Sequence, residues 1–276
     1  MKEIALVALV LTVLFSGLSF SQQTEKTTAP SGVFAYASNS RQVIVIDKDT
    51  DESKARILTR AFCHGYPTMS AVSLAAISKG HSEGAAGFQY VADSVPANSY
   101  CFLVDSKTSE ELRLWGYAES PVVVHEKRCL DDIARNAKAL TGREAASCYL
   151  IGVYGTAKLE LLEFVSKSPD DQLAVLMVID DSMAKGQRYS IARFPAGDRV
   201  WTTDNDGKFH PERFRHLFTL IDDPDAERSW VAIEWSGPAG NDLILYQPVG
   251  SELKPVIISN DSSHGGTSEP ADLASR

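Results

Sequence analysis

The chain is short of positive charge, has few cysteines and, past its first eighteen residues, lacks any long apolar run. Lys and Arg number 27 against 36 Asp and Glu, for a formal net charge of −9. That balance argues against a polyanion held through a basic surface, so no nucleic-acid partner is expected. A helix needs about 20 apolar residues to cross a bilayer, and nothing after the leader approaches that, so a soluble body is expected. No two of the four cysteines are spaced C-x-x-C, and no His stands at zinc-finger distance from a pair, which argues against a structural zinc site. With 44% hydrophobic and 23% charged residues the composition is that of a globular chain and excludes wholesale disorder.

What is present begins with a leader. Lys2 supplies a positive charge, and Ile4 to Leu18 form an apolar stretch interrupted only by Thr12, Ser16 and Gly17. Ser19 and Ser21 place small residues three before and one before the bond to Gln22, as signal peptidase requires. Polar residues, not a basic stop-transfer cluster, follow. The expectation is a cleaved signal peptide over 1–21 and a secreted or periplasmic product, without stable membrane insertion once the leader is removed; an uncleaved anchor is the alternative. No Cys follows the leader, which argues against lipid attachment there. The remaining chain divides into a polar linker (22–31), a single α+β domain (32–259) and a disordered tail (260–276) poor in apolar residues.

Export makes disulfides permissible, and Cys63, Cys101, Cys129 and Cys148 allow three connectivities. The pairing Cys63–Cys101 with Cys129–Cys148 closes the shorter loops and suits the elements assigned. On the chain-entropy model each closure stabilises the fold by about 3 to 4 kcal/mol.

Strand patterning dominates from residue 97. In KLELLEF and WVAIEW every second residue is apolar, the mark of a half-buried strand. Helical spacing is read at Ile57–Phe62 behind Asp49–Asp51, at Thr68–Lys79, at Pro211–Ile221 and most clearly at 126–141. In this last segment Cys129, Leu130, Ile133, Ala134, Ala137 and Leu140 share one face, His125 and Glu126 cap the start, and Gly142 ends it. The fold class expected is α+β: mainly antiparallel sheet of successive hairpins with a few packed helices. A small propeller-like β-repeat is the alternative, because Ile179-Asp180-Asp181 before RYSIARF echoes Ile221-Asp222-Asp223 before SWVAIEW.

Three patterns could carry chemistry. Gly80-His81-Ser82-Glu83-Gly84 is G-x-S-x-G and resembles the nucleophile elbow of the α/β-hydrolases. That resemblance implies Ser82 as nucleophile, His210, His216 or His264 as base, and His64-Gly65 as an oxyanion loop. The alternative is that Gly80 and Gly84 stop a helix and turn the chain. Asp204, Asp206 and Gly207, with Glu212 after them, resemble a calcium loop of EF-hand type, although Thr202 and Arg213 occupy its first and last positions. A turn through Asn205-Asp206-Gly207 is the alternative, and calcium is the sole cofactor the sequence raises. Glu212 and His216, four apart, would share a helix face as two potential metal ligands. Trp201, Tyr189, Trp230 and Trp235 are expected to fill a sheet core, a ligand-stacking platform being the other use. The function expected is a non-enzymatic binding or interaction module with a protein or small-ligand partner; the alternative is a secreted serine hydrolase acting through Ser82.

Overall fold

The computed structural model describes residues 29–47, 49–66, 68–77, 88–117, 124–126, 129–155, 157–182, 186–202, 206–222, 228–238 and 240–261. A first group of strands, β1 (Gly32–Asn39), β2 (Gln42–Val45), β3 (Leu58–Cys63), β4 (Ser70–Ile77), β5 (Phe88–Ala92) and β6 (Ser99–Asp105), closes into a barrel in the order β1-β2-β5-β4-β3-β6. One-turn helices α1 (Glu52–Ile57) and α2 (Ser106–Glu111) precede β3 and follow β6. Each starts on an aspartate whose carboxylate accepts a backbone N–H three residues on: Asp51 from Lys54 at 2.8 Å and Asp105 from Thr108 at 2.7 Å.

The rest of the chain builds one ten-stranded sheet. Its strands are β7 (Arg113–Tyr117), β8 (Val124–Glu126), β9 (Ala145–Tyr154), β10 (Ala157–Phe164), β11 (Leu173–Ser182), β12 (Gly186–Pro195), β13 (Phe214–Ile221), β14 (Ser229–Gly237), β15 (Gly240–Val249) and β16 (Glu252–Asp261). They are ordered β7-β13-β14-β15-β16-β12-β11-β10-β9-β8. Helix α3 (Asp131–Thr141) lies between β8 and β9, and the single turn α4 (Arg199–Thr202) follows β12.

Period-two alternation decides which side chains meet. In β1 and β6, Val33, Ala35, Cys101 and Leu103 point into the barrel, where Val43, Val45, Ala61 and Tyr90 complete the core. Phe34, Tyr100, Phe102 and Val104 point outward and pack on Leu217, Phe218, Trp230, Leu243 and Leu245 of the larger sheet. β6 is therefore buried on both faces. The larger sheet curls around a second core that includes Leu159, Leu161, Leu176, Val178, Phe214, Ile233 and Trp235. Its outer face is covered by the barrel over β13–β15 and by α3 over β9–β12, where Ile133 and Ala137 meet Leu162, Val175 and Met177. Gly142 ends α3 at φ 75°, its N–H donating to Lys138 O at 2.7 Å.

The α+β class is corrected by this architecture. The described chain is mostly β, with sixteen strands against four short helices. Thr68–Lys79, expected as a helix, contains β4; Pro211–Ile221 is one 3₁₀ turn followed by β13; Ile57–Phe62 is the end of α1 and most of β3. His125 and Glu126 belong to β8, and α3 starts five residues later. The propeller alternative is also corrected: the echoing hairpins, β11–β12 and β13–β14, belong to one continuous sheet and not to separate blades.

Both disulfides form as paired above, Cys63–Cys101 and Cys129–Cys148. The first joins directly opposed residues of β3 and β6 inside the barrel; the second ties the entry of α3 to β9. β16 runs through Asn260 and Asp261, the first two residues of the expected tail. Among the described residues no helix is long and apolar enough to cross a membrane.

Candidate functional site

Between β12 and β16 the sheet is nearly unzipped. The strands run parallel but share one register pair, Ile191 with Glu252, held by Ile191 N–H on Ser251 O at 3.0 Å. Ser190 Oγ adds a hydrogen bond to Gly250 O at 2.8 Å. Beyond that point the strands separate, and a cleft of about 460 Å³ opens toward the second core. This volume falls inside the range of roughly 300 to 1,000 Å³ common to small-molecule sites.

Its walls are apolar, with Ile191, Phe194, Phe214, Ile233, Trp235 and Leu253 among the lining residues. α4 packs beside the cleft because Val200 and Trp201 are buried in the core and Trp201 Nε1 donates to Phe194 O at 3.0 Å. Charged residues also line it: Arg193, Asp198, Arg199, Asp242, Glu252 and Lys254. Arg199 stacks over Trp235 at 5.2 Å from the ring centre and pairs with Asp242 at 2.8 Å. Asp242 also accepts from Asn260 Nδ2 at 2.7 Å. Ile258, 64% exposed, supplies apolar surface at the opening.

Tyr246, on β15, is the polar group inside. It is only 5% exposed and lines the cleft, and its hydroxyl makes no hydrogen bond to a described residue. Burial, with the Asp198 and Asp242 carboxylates adding to it, raises its pKa, so the phenol stays protonated.

Two other polar groupings lie deep in the fold. At the contact between barrel and sheet, Arg215 Nε donates to the buried carboxylate of Glu234 at 2.6 Å. Nearby, Tyr100 donates to Asp261 at 3.0 Å and accepts from Asn241 at 2.7 Å. His64, at the end of β3, donates through Nδ1 to Leu217 O at 2.8 Å, tying the barrel to β13. On the same strand His216 is fully buried and shares a hydrogen bond with Thr219 Oγ1 at 2.9 Å. Burial lowers both imidazoles, His216 to about 3.

Ser82 and the whole GHSEG segment lie outside the described residues, as does His264. Of the other imidazoles suggested as its base, His216 is sealed in the core, whereas His210 is held by carboxylates. Asp204 also lies outside the described residues. Asp206 and Glu212 face one imidazole: His210 donates through Nε2 to Asp206 at 3.1 Å and through Nδ1 to Glu212 at 2.7 Å. Burial lowers the His210 pKa, but these two hydrogen bonds and the charges behind them outweigh it, and the net shift is upward. Asp206 is lowered by the Lys208 backbone N–H and by His210. Glu212 and His216 do not share a helix face, since a 3₁₀ turn and the start of β13 separate them. Among the described residues no group of three or more His, Cys, Asp or Glu is arranged to hold a metal ion.

Tested against protein families, curated proteins and solved structures, the chain gives no match. Sequence reasoning reached one cleft residue, Trp235, as a core or stacking aromatic. It passed over Tyr246, Arg199, Asp198 and Asp242. These come from separate segments with no local motif, and the one available signal was the polar-aromatic mixture in DLILYQP.

Proposed function

We propose that the chain is an exported binding protein without catalytic activity, and that its ligand is a small, largely apolar molecule held in the cleft between β12 and β16. One observation carries this reading: a sheet that pairs strand to strand everywhere else gives up its ladder there and exposes an aromatic-lined cavity. Continuing the β12–β16 ladder would satisfy more backbone groups, so an open seam lined by Phe194, Phe214 and Trp235 suits a ligand that fills it. Export is supported by the two disulfides, which persist in oxidising compartments, and by the leader read in the sequence.

The test is binding of 1,6-diphenylhexatriene, a fluorescent hydrocarbon without polar atoms, to the purified protein. We expect saturable binding with energy transfer from the tryptophans. Ile244→Trp, which fills the cleft, should weaken it at least tenfold, while Val153→Trp on a remote exposed position leaves it unchanged. Equal binding by all three proteins, or none by the wild type, would sink the proposal. N-terminal sequencing of protein recovered outside the cytoplasm should begin at Gln22.

A further inference from the structure

The cleft also says what kind of ligand it prefers, a step that rests on the binding role proposed above. Its apolar wall requires an apolar body. Its polar content decides the head group. Arg199 is committed to Asp242 and to the face of Trp235. Lys254 stands 3.7 Å from Glu252, and Arg193 donates to Leu140 O at 3.0 Å. Asp198 accepts from the Val200 N–H at 3.2 Å. The three cations and three carboxylates lining the cleft cancel in formal charge, so an ionised head group would shed its hydration for a lining with no net charge of either sign.

Tyr246 is different. Its hydroxyl is not one of the buried polar atoms left without a partner, so it meets the solvent of the cleft and can exchange a water for a ligand oxygen. Here the hydroxyl lies under the influence of the Asp198 and Asp242 carboxylates, which repel an anion, and no described residue takes its proton. We infer that the cleft selects an uncharged amphiphile, an apolar chain or ring carrying a hydroxyl or carbonyl oxygen that accepts from Tyr246 Oη, and discriminates against carboxylates and ammonium ions. No bond is made or broken in this event; Tyr246 keeps its proton and lends it to the ligand oxygen.

The experiment is displacement of bound diphenylhexatriene at pH 8 by three ligands of one chain length: 1-decanol, decanoate and decylammonium. Decanol should displace the probe at a concentration at least tenfold below either ion. Tyr246→Phe keeps the ring and removes the hydroxyl. It should raise the decanol concentration needed several-fold after correction for the variant's own affinity for the hydrocarbon probe, and by more than it changes displacement by the two ions. Two results overturn the inference: decanoate or decylammonium displacing as well as decanol, or Tyr246→Phe leaving decanol unaffected. Failure of the wild type to bind the probe would instead remove the binding role itself. If Tyr246→Phe does not fold, Asp198→Asn serves: it should narrow the gap between decanol and decanoate, and an unchanged gap would count against the inference.

Discussion

The backbone of Gly152 lies directly against the imidazole of His216. A methyl group at position 152 would stand 2.7 Å from Nδ1 and 3.0 Å from Cβ of that ring. The contact lies where β9 and β13, which are not neighbours in the sheet order, approach each other across the curl. Glycine is required here by space.

Gly152→Ala should accordingly destabilise the fold by about 1 to 3 kcal/mol, the usual range for overpacking a filled core. Urea denaturation would measure it. Adding His216→Ala to the same chain should recover part of the loss, and additive effects would show that the two sites do not touch.

Stability should also depend on pH through His216. Its folded pKa, about 3, lies below the ordinary 6.5, so between those values the unfolded chain takes up a proton that the folded one refuses. Stability therefore falls as pH drops below 6.5, by about 2 kcal/mol between pH 6.5 and 5. In His216→Gln the denaturation midpoint should change less with pH over that interval. Parallel pH profiles for the two proteins would refute the assignment.

His210 works in the opposite sense. Its folded pKa is raised by Glu212 and Asp206, so its contribution is fully present below pH 6.5 and disappears as pH rises through the folded value. His210→Ala should cost more stability at pH 6 than at pH 8.5, by a fraction of a kcal/mol for a group so near the surface. NMR titration of the ring would give the raised value directly.

The two disulfides close loops with sequence separations of 38 and 19. Replacing Cys63 and Cys101 by Ala should lower stability by about 4 kcal/mol, and replacing Cys129 and Cys148 by about 3. Both bridges are buried, but Cys129 at 9% is the most accessible of the four cysteines, against 1% for Cys63 and 0% for Cys101, so a mild reductant should open Cys129–Cys148 first. Mass spectrometry after brief reduction and alkylation would identify the order.

Some of this was legible along the chain, and particular residues show why the rest was not. Gly142 and the apolar face from Ile133 to Leu140 read correctly because a cap and a 3.6-residue period are local properties, whereas Leu130, placed on that face, precedes α3 and is exposed. In β13, Phe214, Leu217, Phe218 and Ile221 recur at helical intervals, yet the segment is a strand. A bulge between His216 and Phe218 shifts the register, and burial on both faces removes the alternation that marks a strand. Residues 68–79 are rich in good helix formers, but within them Ser70–Ile77 pairs with β3 and β5 of the barrel and is drawn into extended conformation.

By itself the sequence determined the dominance of strands after residue 97, the one amphipathic helix and the acidic character, and it favoured one of three cysteine pairings. Those properties depend on neighbours in the chain or on composition. Tertiary structure alone decided that the strands separate into a closed barrel and a curled sheet, and that β12 parts from β16. The reason is physical: strand pairing is set by contacts between residues tens of positions apart, as when Ile191 meets Glu252 and Tyr246 and Asp198 come to line one cleft. No period within either segment records its partner.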